Sequence, residues 1–368
     1  MPLRTTSSIC AAVLAVAVAT TPVGSPATAA TNDPLRSQQW GLDQVRAEAA
    51  WATSTGSGVV VAVVDSGVDL DHPDLQGQLV PGITTVGCGP KQSYCGDGSW
   101  VGMDGEAQPA DSHGTHVSGI VAAAADNGLG VAGVARDAKV MPIKSLEDGS
   151  GSFGDIANGV RYAVDHGASV VNLSLGAVPG GQALSLTGLE SSVADAIAYA
   201  TSQGVLVVAA AGNESFPVCD TPSFEAGALC VTATTRDETP AWYSNGAIKP
   251  DTDAVAAPGG AGLVACEDDI VSTVPVGTGP AACGQQDYDY YAGTSMATPH
   301  VAGVAALLYA QGRTAANVHA ALVDTARTPG LGTGLFTGSY GHGIVDAQAA
   351  VDYPVLTAAT VRQHGKKR

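Results

Sequence analysis

Basic residues are scarce in this sequence of 368 residues: 16 lysines and arginines stand against 34 aspartates and glutamates, and the formal net charge is −18. Nucleic acids and anionic membrane surfaces attract basic proteins, so this balance argues against both as partners. Aromatic residues are also few, at 5 %, but hydrophobic residues reach 45 %. A chain of this length and composition can bury a large core and is expected to be globular.

Long apolar runs are missing as well. The run at residues 9–18 is too short to cross a bilayer, which takes a helix of about 20 residues. It follows the basic Arg4 and precedes Pro22, Gly24, Pro26 and a series of small residues that ends at Ala30. This layout predicts a secretory signal peptide over residues 1–30 and a secreted, extracellular protein. The alternative is a buried N-terminal helix, and no later stretch predicts a membrane span.

The cysteines do not form any C-x-x-C pair, which argues against a cysteine metal site. Of the seven, Cys10 would leave with the signal peptide, and an even number in an exported chain predicts disulfides. Six cysteines allow fifteen pairings. Because the six cysteines fall into three couples that are close in sequence, we expect the pairs Cys88 with Cys95, Cys219 with Cys230, and Cys266 with Cys283.

Apolar, β-branched runs alternate with helix-like segments along the chain. Strands are predicted at residues 58–64, 139–144, 168–174 and 205–211, with shorter candidates at 230–233 and 254–257. Helices are predicted at residues 43–53, 114–125, 153–166, 189–203 and 295–311, and residues 84–111 read as an inserted surface loop. This alternation predicts an α/β fold with a parallel sheet. Residues 31–351 are expected to form one domain. The basic tail that follows, at 352–368, is expected to be solvated and disordered.

Three polar residues stand at positions suited to nucleophilic catalysis. Asp65 ends a predicted buried strand, and sites in open α/β sheets form at the carboxyl ends of strands. His113 opens a helix of small residues, and Ser295 lies at a turn before a long helix. A serine hydroxyl becomes nucleophilic when a histidine takes its proton, and a buried carboxylate orients that histidine. Taken singly, each residue also fits an ordinary structural role: a cap, a core histidine and a helix-capping serine.

In the order Asp65, His113, Ser295 these motifs resemble the subtilisin-like (subtilase) serine proteases of peptidase family S8. The resemblance extends from about residue 32 to residue 351. It includes three further segments: Asn172-Leu-Ser-Leu-Gly176, Ala210-Ala-Gly-Asn213 and Gly341-His-Gly-Ile-Val-Asp-Ala347. It implies a three-layer α/β/α fold with a mostly parallel central sheet. The implied activity is that of a serine endopeptidase, which hydrolyses peptide bonds through an acyl-enzyme intermediate.

The resemblance also implies a role for each matching residue. Asp65 would orient His113, His113 would act as general base and acid, and Ser295 would be the nucleophile. Asn213 would supply the side-chain N–H of an oxyanion hole, together with the backbone N–H of Ser295. His116 would be structural.

An extended peptide or protein substrate would bind between two exposed edges. The residues that the resemblance assigns to these edges are Ser174, Leu175 and Gly176 on one side and Gly149, Ser150 and Gly151 on the other. Phe153 would cover a more distal subsite, and a core position on its helix is the equal alternative. Glu214 would lie at the rim of the primary pocket, where it either favours a basic substrate residue or is a solvated charge.

Members of the family often bind structural Ca²⁺ and need no cofactor for catalysis. Asp33, Asp74 and Asn127 match the strong-site pattern, with Asp126 as second choice after Asn127, and oxygen ligands from a tight loop suit Ca²⁺. The alternative is an Asx-rich turn without a metal. The protein is expected to be a monomer.

Two other functions stay open. A peptide-binding pseudoprotease without turnover would lack a triad residue, and none is missing here. An esterase or lipase would carry G-x-S-x-G and the order Ser, Asp, His, whereas this chain has Ala297 at the fifth position and the order Asp, His, Ser.

Overall fold

A seven-stranded parallel sheet forms the centre of the protein. The computed structural model describes residues 31–89, 91–176, 191–263, 265–279 and 285–355. The strands of the sheet are β1 (Val60–Asp65), β2 (Ile83–Thr84), β3 (Lys139–Lys144), β4 (Val170–Leu173), β5 (Leu206–Ala210), β6 (Ala228–Thr234) and β7 (Ala254–Pro258). Their order is β2-β3-β1-β4-β5-β6-β7, and each neighbouring pair is parallel. The predicted α/β fold with a parallel central sheet is confirmed.

Helices pack on both sides of this sheet. Those in the described residues are α1 (Trp40–Gln44), α2 (Ala47–Ala50), α3 (His113–Ala122), α4 (Phe153–Asp165), α5 (Ser192–Ser202), α6 (Thr294–Tyr309), α7 (Ala315–Thr325) and α8 (Ala347–Asp352). Short 3-10 turns lie at Arg36–Gln38, Pro73–Leu75, Pro109–Ser112 and Cys266–Asp268. Two small antiparallel pairs complete the structure: β8 (Ile270–Thr273) with β9 (Tyr288–Tyr291), and β10 (Arg327–Thr328) with β11 (Gly332–Thr333).

The two large clusters of the core lie on opposite faces of the sheet, because alternate residues of a strand face opposite sides. Val61 and Val63 of β1 join the cluster that contains residues of α3, α6 and α7. Val64, from the same strand, joins the cluster that contains residues of α4 and α5. The sheet is thus buried on both faces, which explains why its strands are continuous apolar runs, and the architecture has three layers.

Two predicted elements begin or end at the residues where the structure has them. Strand β3 has the predicted bounds, and α4 begins at Phe153 as predicted. The start of α4 is fixed by a capping box: Ser152 Oγ accepts from the Asp155 N–H at 3.1 Å, and the Asp155 carboxylate accepts from the Ser152 N–H at 3.3 Å. Such a box satisfies two backbone donors that the first turn of a helix leaves without partners.

Other elements differ from the predictions. The single helix predicted at residues 43–53 is instead α1 and α2, because Arg46 between them takes the left-handed conformation with φ +59°. The predicted loop at 84–111 is tied to the sheet, since Thr84 pairs with Cys95 and Val68 with Ser99. The sequence patterns did not predict strand β2, the β8–β9 and β10–β11 pairs, or helices α7 and α8.

The structure joins Cys88 to Cys95 and Cys219 to Cys230, as predicted. The third predicted pair includes Cys283, which lies outside the described residues, as do the proposed signal peptide and residues 356–368 of the basic tail. Within the described ranges, no helix has the length and hydropathy that crossing a bilayer would require.

Candidate active site

Asp65 and His113 meet at the carboxyl edge of the sheet. Asp65 is the last residue of β1 and is fully buried, whereas His113 begins α3 and its side chain is 28 % exposed. The distance between Asp65 Oδ1 and His113 Nδ1 is 2.8 Å. Burial lowers the pKa of His113, but the charge and hydrogen bond of Asp65 outweigh it and raise that pKa above its ordinary value of 6.5. This arrangement leaves His113 Nε2 as the ring nitrogen available for proton transfer.

Ser66, directly after β1, connects the end of this strand to the start of α3. Its N–H donates to Asp65 Oδ1 at 2.7 Å, and its hydroxyl accepts from the Gly114 N–H at 3.0 Å. A side chain on Gly114 would bring a Cβ within 2.3 Å of the Gly67 carbonyl oxygen, so only glycine allows α3 to start this close to β1. His113 is positioned by this close approach.

Lys144 is a fully buried cation beside Ser66, and the sequence reading did not single it out. It ends β3, and its Nζ donates to the Ser66 carbonyl at 2.9 Å. The carboxylate of Asp111, also fully buried, lies 3.4 Å from this Nζ. This ion pair fixes the segment that precedes His113, because a buried charge is tolerated only where it is paired and hydrogen-bonded.

Ser295 lies in the first turn of α6, across from Ser174. Ser295 Oγ donates to the Ser174 carbonyl at 3.2 Å, and Ser174 Oγ donates to the Ser295 carbonyl at 2.7 Å. Ser174 directly follows β4, so these two bonds attach the start of α6 to the edge of the sheet. The nucleophile candidate is therefore held on a rigid element.

Asn213 follows β5 and faces the same turn. Its Oδ1 accepts from the N–H and the hydroxyl of Thr294, at 2.9 and 3.0 Å, which orients the amide. A Cβ built on Gly293 would lie 3.6 Å from Asn213 Nδ2 and 3.6 Å from the Ser295 N. The Asn213 amide and the Ser295 N–H thus lie on the same side of the turn, where both could donate to an oxyanion.

A cleft of about 610 Å³ opens beside His113. It brings together all six predicted edge residues and Phe153. The predicted residues that line it are Gly149, Ser150, Gly151, Phe153, Ser174, Leu175 and Gly176. Phe153 thus lines the cleft and also packs against the cluster that contains residues of α4. A cavity of this size, mostly apolar with a few polar groups, is typical of a ligand site.

The cleft also contains residues that the sequence reading missed, among them Tyr291 and Ser112. The two hydroxyls lie 2.8 Å apart, and the Tyr291 ring stacks on His116 with centroids 4.3 Å apart. Burial lowers the pKa of His116 to about 3, so this ring is neutral at neutral pH. The position of Tyr291 just before the Gly293-Thr-Ser motif was the available signal in the sequence.

Glu214 stands apart from the other predicted substrate-binding residues. It is exposed and does not line the cleft. Its carboxylate accepts from Asn245 Nδ2 at 2.8 Å, and its N–H donates to Asn245 Oδ1 at 3.1 Å. It directly follows Asn213 in the sequence.

The three residues predicted for calcium come together as a group. Asn127 Nδ2 donates to Asp74 Oδ1 at 2.7 Å, and its N–H donates to Asp33 Oδ1 at 3.2 Å. Asp74 Oδ2 accepts from the Val131 N–H at 2.9 Å and from the Tyr288 hydroxyl at 3.2 Å. Burial raises the pKa of Asp74. The described residues hold no group of three or more His, Cys, Asp or Glu side chains suited to a metal ion. Carboxylates are hard oxygen donors, the chemistry that Ca²⁺ prefers. All four carboxylate oxygens of Asp33 and Asp74 accept a hydrogen bond from the chain.

Comparisons with known proteins identify the family of this chain. The model of the Subtilase family of peptidases matches residues 56–343. Thermitase from Thermoactinomyces vulgaris is 37 % identical over 326 residues, which cover 88 % of this chain and 99 % of thermitase. An extracellular protease from Xanthomonas campestris is 38 % identical over 356 residues, 88 % of this chain and 57 % of that protein. A solved protease structure from Pseudoalteromonas arctica superposes with a TM-score of 0.73 at 35 % identity, covering 88 % of this chain and 99 % of that one. The chain belongs to the subtilase family of serine proteases.

Proposed function

We propose that this subtilase is a secreted serine endopeptidase that uses Asp65, His113 and Ser295 as its triad. The observation that carries the proposal is the 2.8 Å contact between Asp65 and His113, together with the Asn213 amide that Thr294 holds next to Ser295. A hydroxyl, a base and an oxyanion site at one edge of a sheet are the parts of an acyl-transfer centre. A binding protein without turnover has no use for all three.

The proposed reaction has two steps. Ser295 Oγ attacks the substrate carbonyl carbon while His113 Nε2 takes the hydroxyl proton; Asp65 stabilises the resulting imidazolium. The C–N bond then breaks, and the protonated His113 returns its proton to the leaving amine. Water next attacks the acyl-enzyme with His113 again as base, which releases the new carboxyl terminus and restores Ser295.

The oxyanion that forms in each step would accept hydrogen bonds from Asn213 Nδ2 and the Ser295 N–H. Thr294 holds the amide of Asn213 in place before the substrate binds. Donors that are fixed in advance stabilise the developing charge without reorganisation, and they favour the transition state over the planar carbonyl.

The substrate would be an extended peptide, because the two edges that flank the cleft present backbone groups. Residues 149–151 lie on one side and residues 174–176 on the other. Main-chain hydrogen bonds to such edges bind a peptide in extended form and leave selectivity to the pockets for its side chains. This explains how a protease of this kind acts on protein chains of varied sequence.

Ser295→Ala tests the activity. We expect the variant to lose cleavage of internal peptide bonds in a peptide library read by mass spectrometry, and to lose labelling by a serine-directed phosphonate. Ser202→Ala removes an exposed hydroxyl at the end of α5 and should behave as the unmodified protein. Peptide cleavage that persists in Ser295→Ala would refute the triad, and ester hydrolysis without any peptide cleavage in the unmodified protein would favour an esterase.

The proposed location and metal follow from other features. Two disulfides, a predicted signal peptide and a relative named as an extracellular protease support secretion. Sequencing the N-terminus of the protein exported by its host should give Ala30 or Thr31. Asp33, Asp74 and Asn127 would hold a structural Ca²⁺, which supplies no step of the reaction. The chain would act as a monomer.

A further inference from the structure

Asp220 connects the two walls of the space next to Ser295. One wall is the edge at residues 174–176, and the other is the segment after β5 that carries Asn213. The Asp220 N–H donates to the Ala211 carbonyl of the second wall at 2.8 Å. On the other side, a Cβ built on Gly176 would lie 3.3 Å from Asp220 Oδ2. The carboxylate therefore lies between both walls.

The carboxylate of Asp220 is buried and has no cation beside it in the described part of the chain. The residue is 2 % exposed, and its Oδ1 accepts from the Thr221 N–H at 2.8 Å. Among the described residues, none donates a hydrogen bond to Oδ2, and no lysine, arginine or histidine forms an ion pair with this carboxylate. Burial raises its pKa to about 6, and the negative charge of Glu214 acts in the same direction. A buried carboxylate without a cation costs free energy, which a cationic ligand would recover.

Gly176 does not block access from the cleft to this carboxylate, because it has no side chain. It lines the cleft, and a methyl group there would crowd Oδ2 at 3.3 Å. A carboxylate that lies directly behind a glycine of the cleft wall suits a long, flexible side chain with a positive end. Lysine and arginine are the two residues with this shape and charge.

Ser295 Oγ lies 3.2 Å from the Ser174 carbonyl, so the substrate residue that it attacks lies against the wall at residues 174–176. We propose that Asp220 selects substrates with lysine or arginine at the position that supplies the scissile carbonyl. This proposal rests on the proposed function. Glu214, which is exposed, adds a weaker and more screened attraction.

Matched peptide amides that differ only at this position test the proposal, with arginine, lysine, citrulline or leucine there. Citrulline has nearly the length and shape of arginine without its charge. We expect kcat/KM for arginine to exceed that for citrulline, and Asp220→Asn to lower the arginine-to-citrulline ratio by about 30-fold or more, as for loss of one partner of a buried charge pair. Asp137→Asn is the control, because it removes an exposed carboxylate just before β3, at the opposite end of the sheet. Glu214→Gln should lower the ratio less than Asp220→Asn does.

The same ratio gives a second readout that needs no variant. Because both substrates depend equally on His113, dividing the two kcat/KM values cancels its titration. The arginine-to-citrulline ratio of the unmodified protein should rise with pH through about 6, as Asp220 ionises. Three results would overturn the proposal if peptides are still cleaved. They are an arginine-to-citrulline ratio that does not change with pH, the same ratio in Asp220→Asn as in the unmodified protein, and a higher kcat/KM for leucine than for arginine. If no substrate is cleaved and the phosphonate does not label Ser295, the proposed function fails instead.

Discussion

Replacing Asp65 with asparagine should change both the rate and the pH dependence of peptide hydrolysis. The carboxylate is fully buried, and its Oδ1 lies 2.8 Å from His113 Nδ1. At that separation and an effective dielectric constant of about 20, two unit charges attract each other by about 6 kcal/mol before the cost of burial is counted. Asparagine keeps the size of the side chain and removes this charge.

The sign of the pH effect follows from the two opposing causes. In the unmodified protein, Asp65 raises the pKa of His113 above 6.5 against the effect of burial. Without the carboxylate, burial acts alone and the pKa falls below 6.5. Because His113 must be neutral to accept the Ser295 proton, kcat/KM rises with pH through this pKa. The midpoint of the rise should therefore move to lower pH in Asp65→Asn.

The plateau at high pH should fall by about 10⁴-fold, since the imidazolium loses its stabilising charge and the tautomer is no longer fixed. The assay is kcat/KM for one peptide amide between pH 5 and 9, with circular dichroism to show that both proteins are folded. Asp137→Asn serves as the control for net charge. A midpoint that stays in place or moves to higher pH would refute the assignment of Asp65 to His113, as would a plateau lowered by less than tenfold.

Two further predictions concern stability. Removing calcium with EGTA should lower the melting temperature, because at a free Ca²⁺ concentration of 100 times Kd the ion adds about 2.7 kcal/mol to the free energy of unfolding. Asp74→Asn should weaken this dependence on calcium. A melting temperature that does not depend on calcium would contradict the site. Replacing both Cys88 and Cys95 with serine should lower the free energy of unfolding by about 2–3 kcal/mol, because the disulfide closes a short loop with a sequence separation of 7. If the denaturant midpoint does not shift, this loop unfolds separately from the domain and the prediction is wrong.

Strands and long helices could be predicted where the local pattern and the packing agree. β3 has its predicted bounds because all but its first residue are buried, and the apolar run shows this directly. α4 begins where a capping box and an amphipathic pattern coincide. The β8–β9 pair gave no such signal: β9 is a partly exposed Tyr-Asp-Tyr-Tyr segment, and its pairing with β8 is an interaction between segments that no local pattern contains.

The candidate site divides in the same way. Asp65, His113, Ser295 and Asn213 each lie in a short motif, so the sequence alone identified them and the family. Asp220 and Lys144 lie in no such motif, and their importance depends on which groups surround them. Asp220 is notable only because its carboxylate faces Gly176 and has no cation partner in the described chain, whereas Glu214, the acidic residue next to the motif, accepts a hydrogen bond from Asn245.

By itself, the sequence determined the kind of chemistry, the order of the triad motifs and the α/β class, because these depend on residue types and on periods of a few residues. Only the tertiary structure decided which side chains meet. It brings Asp65 within 2.8 Å of His113, 48 positions away, and Ser295 within 3.2 Å of Ser174, 121 positions away. The physical reason is that parallel strands end at one edge of the sheet, and the packing of α3 and α6 fixes the direction of each side chain there.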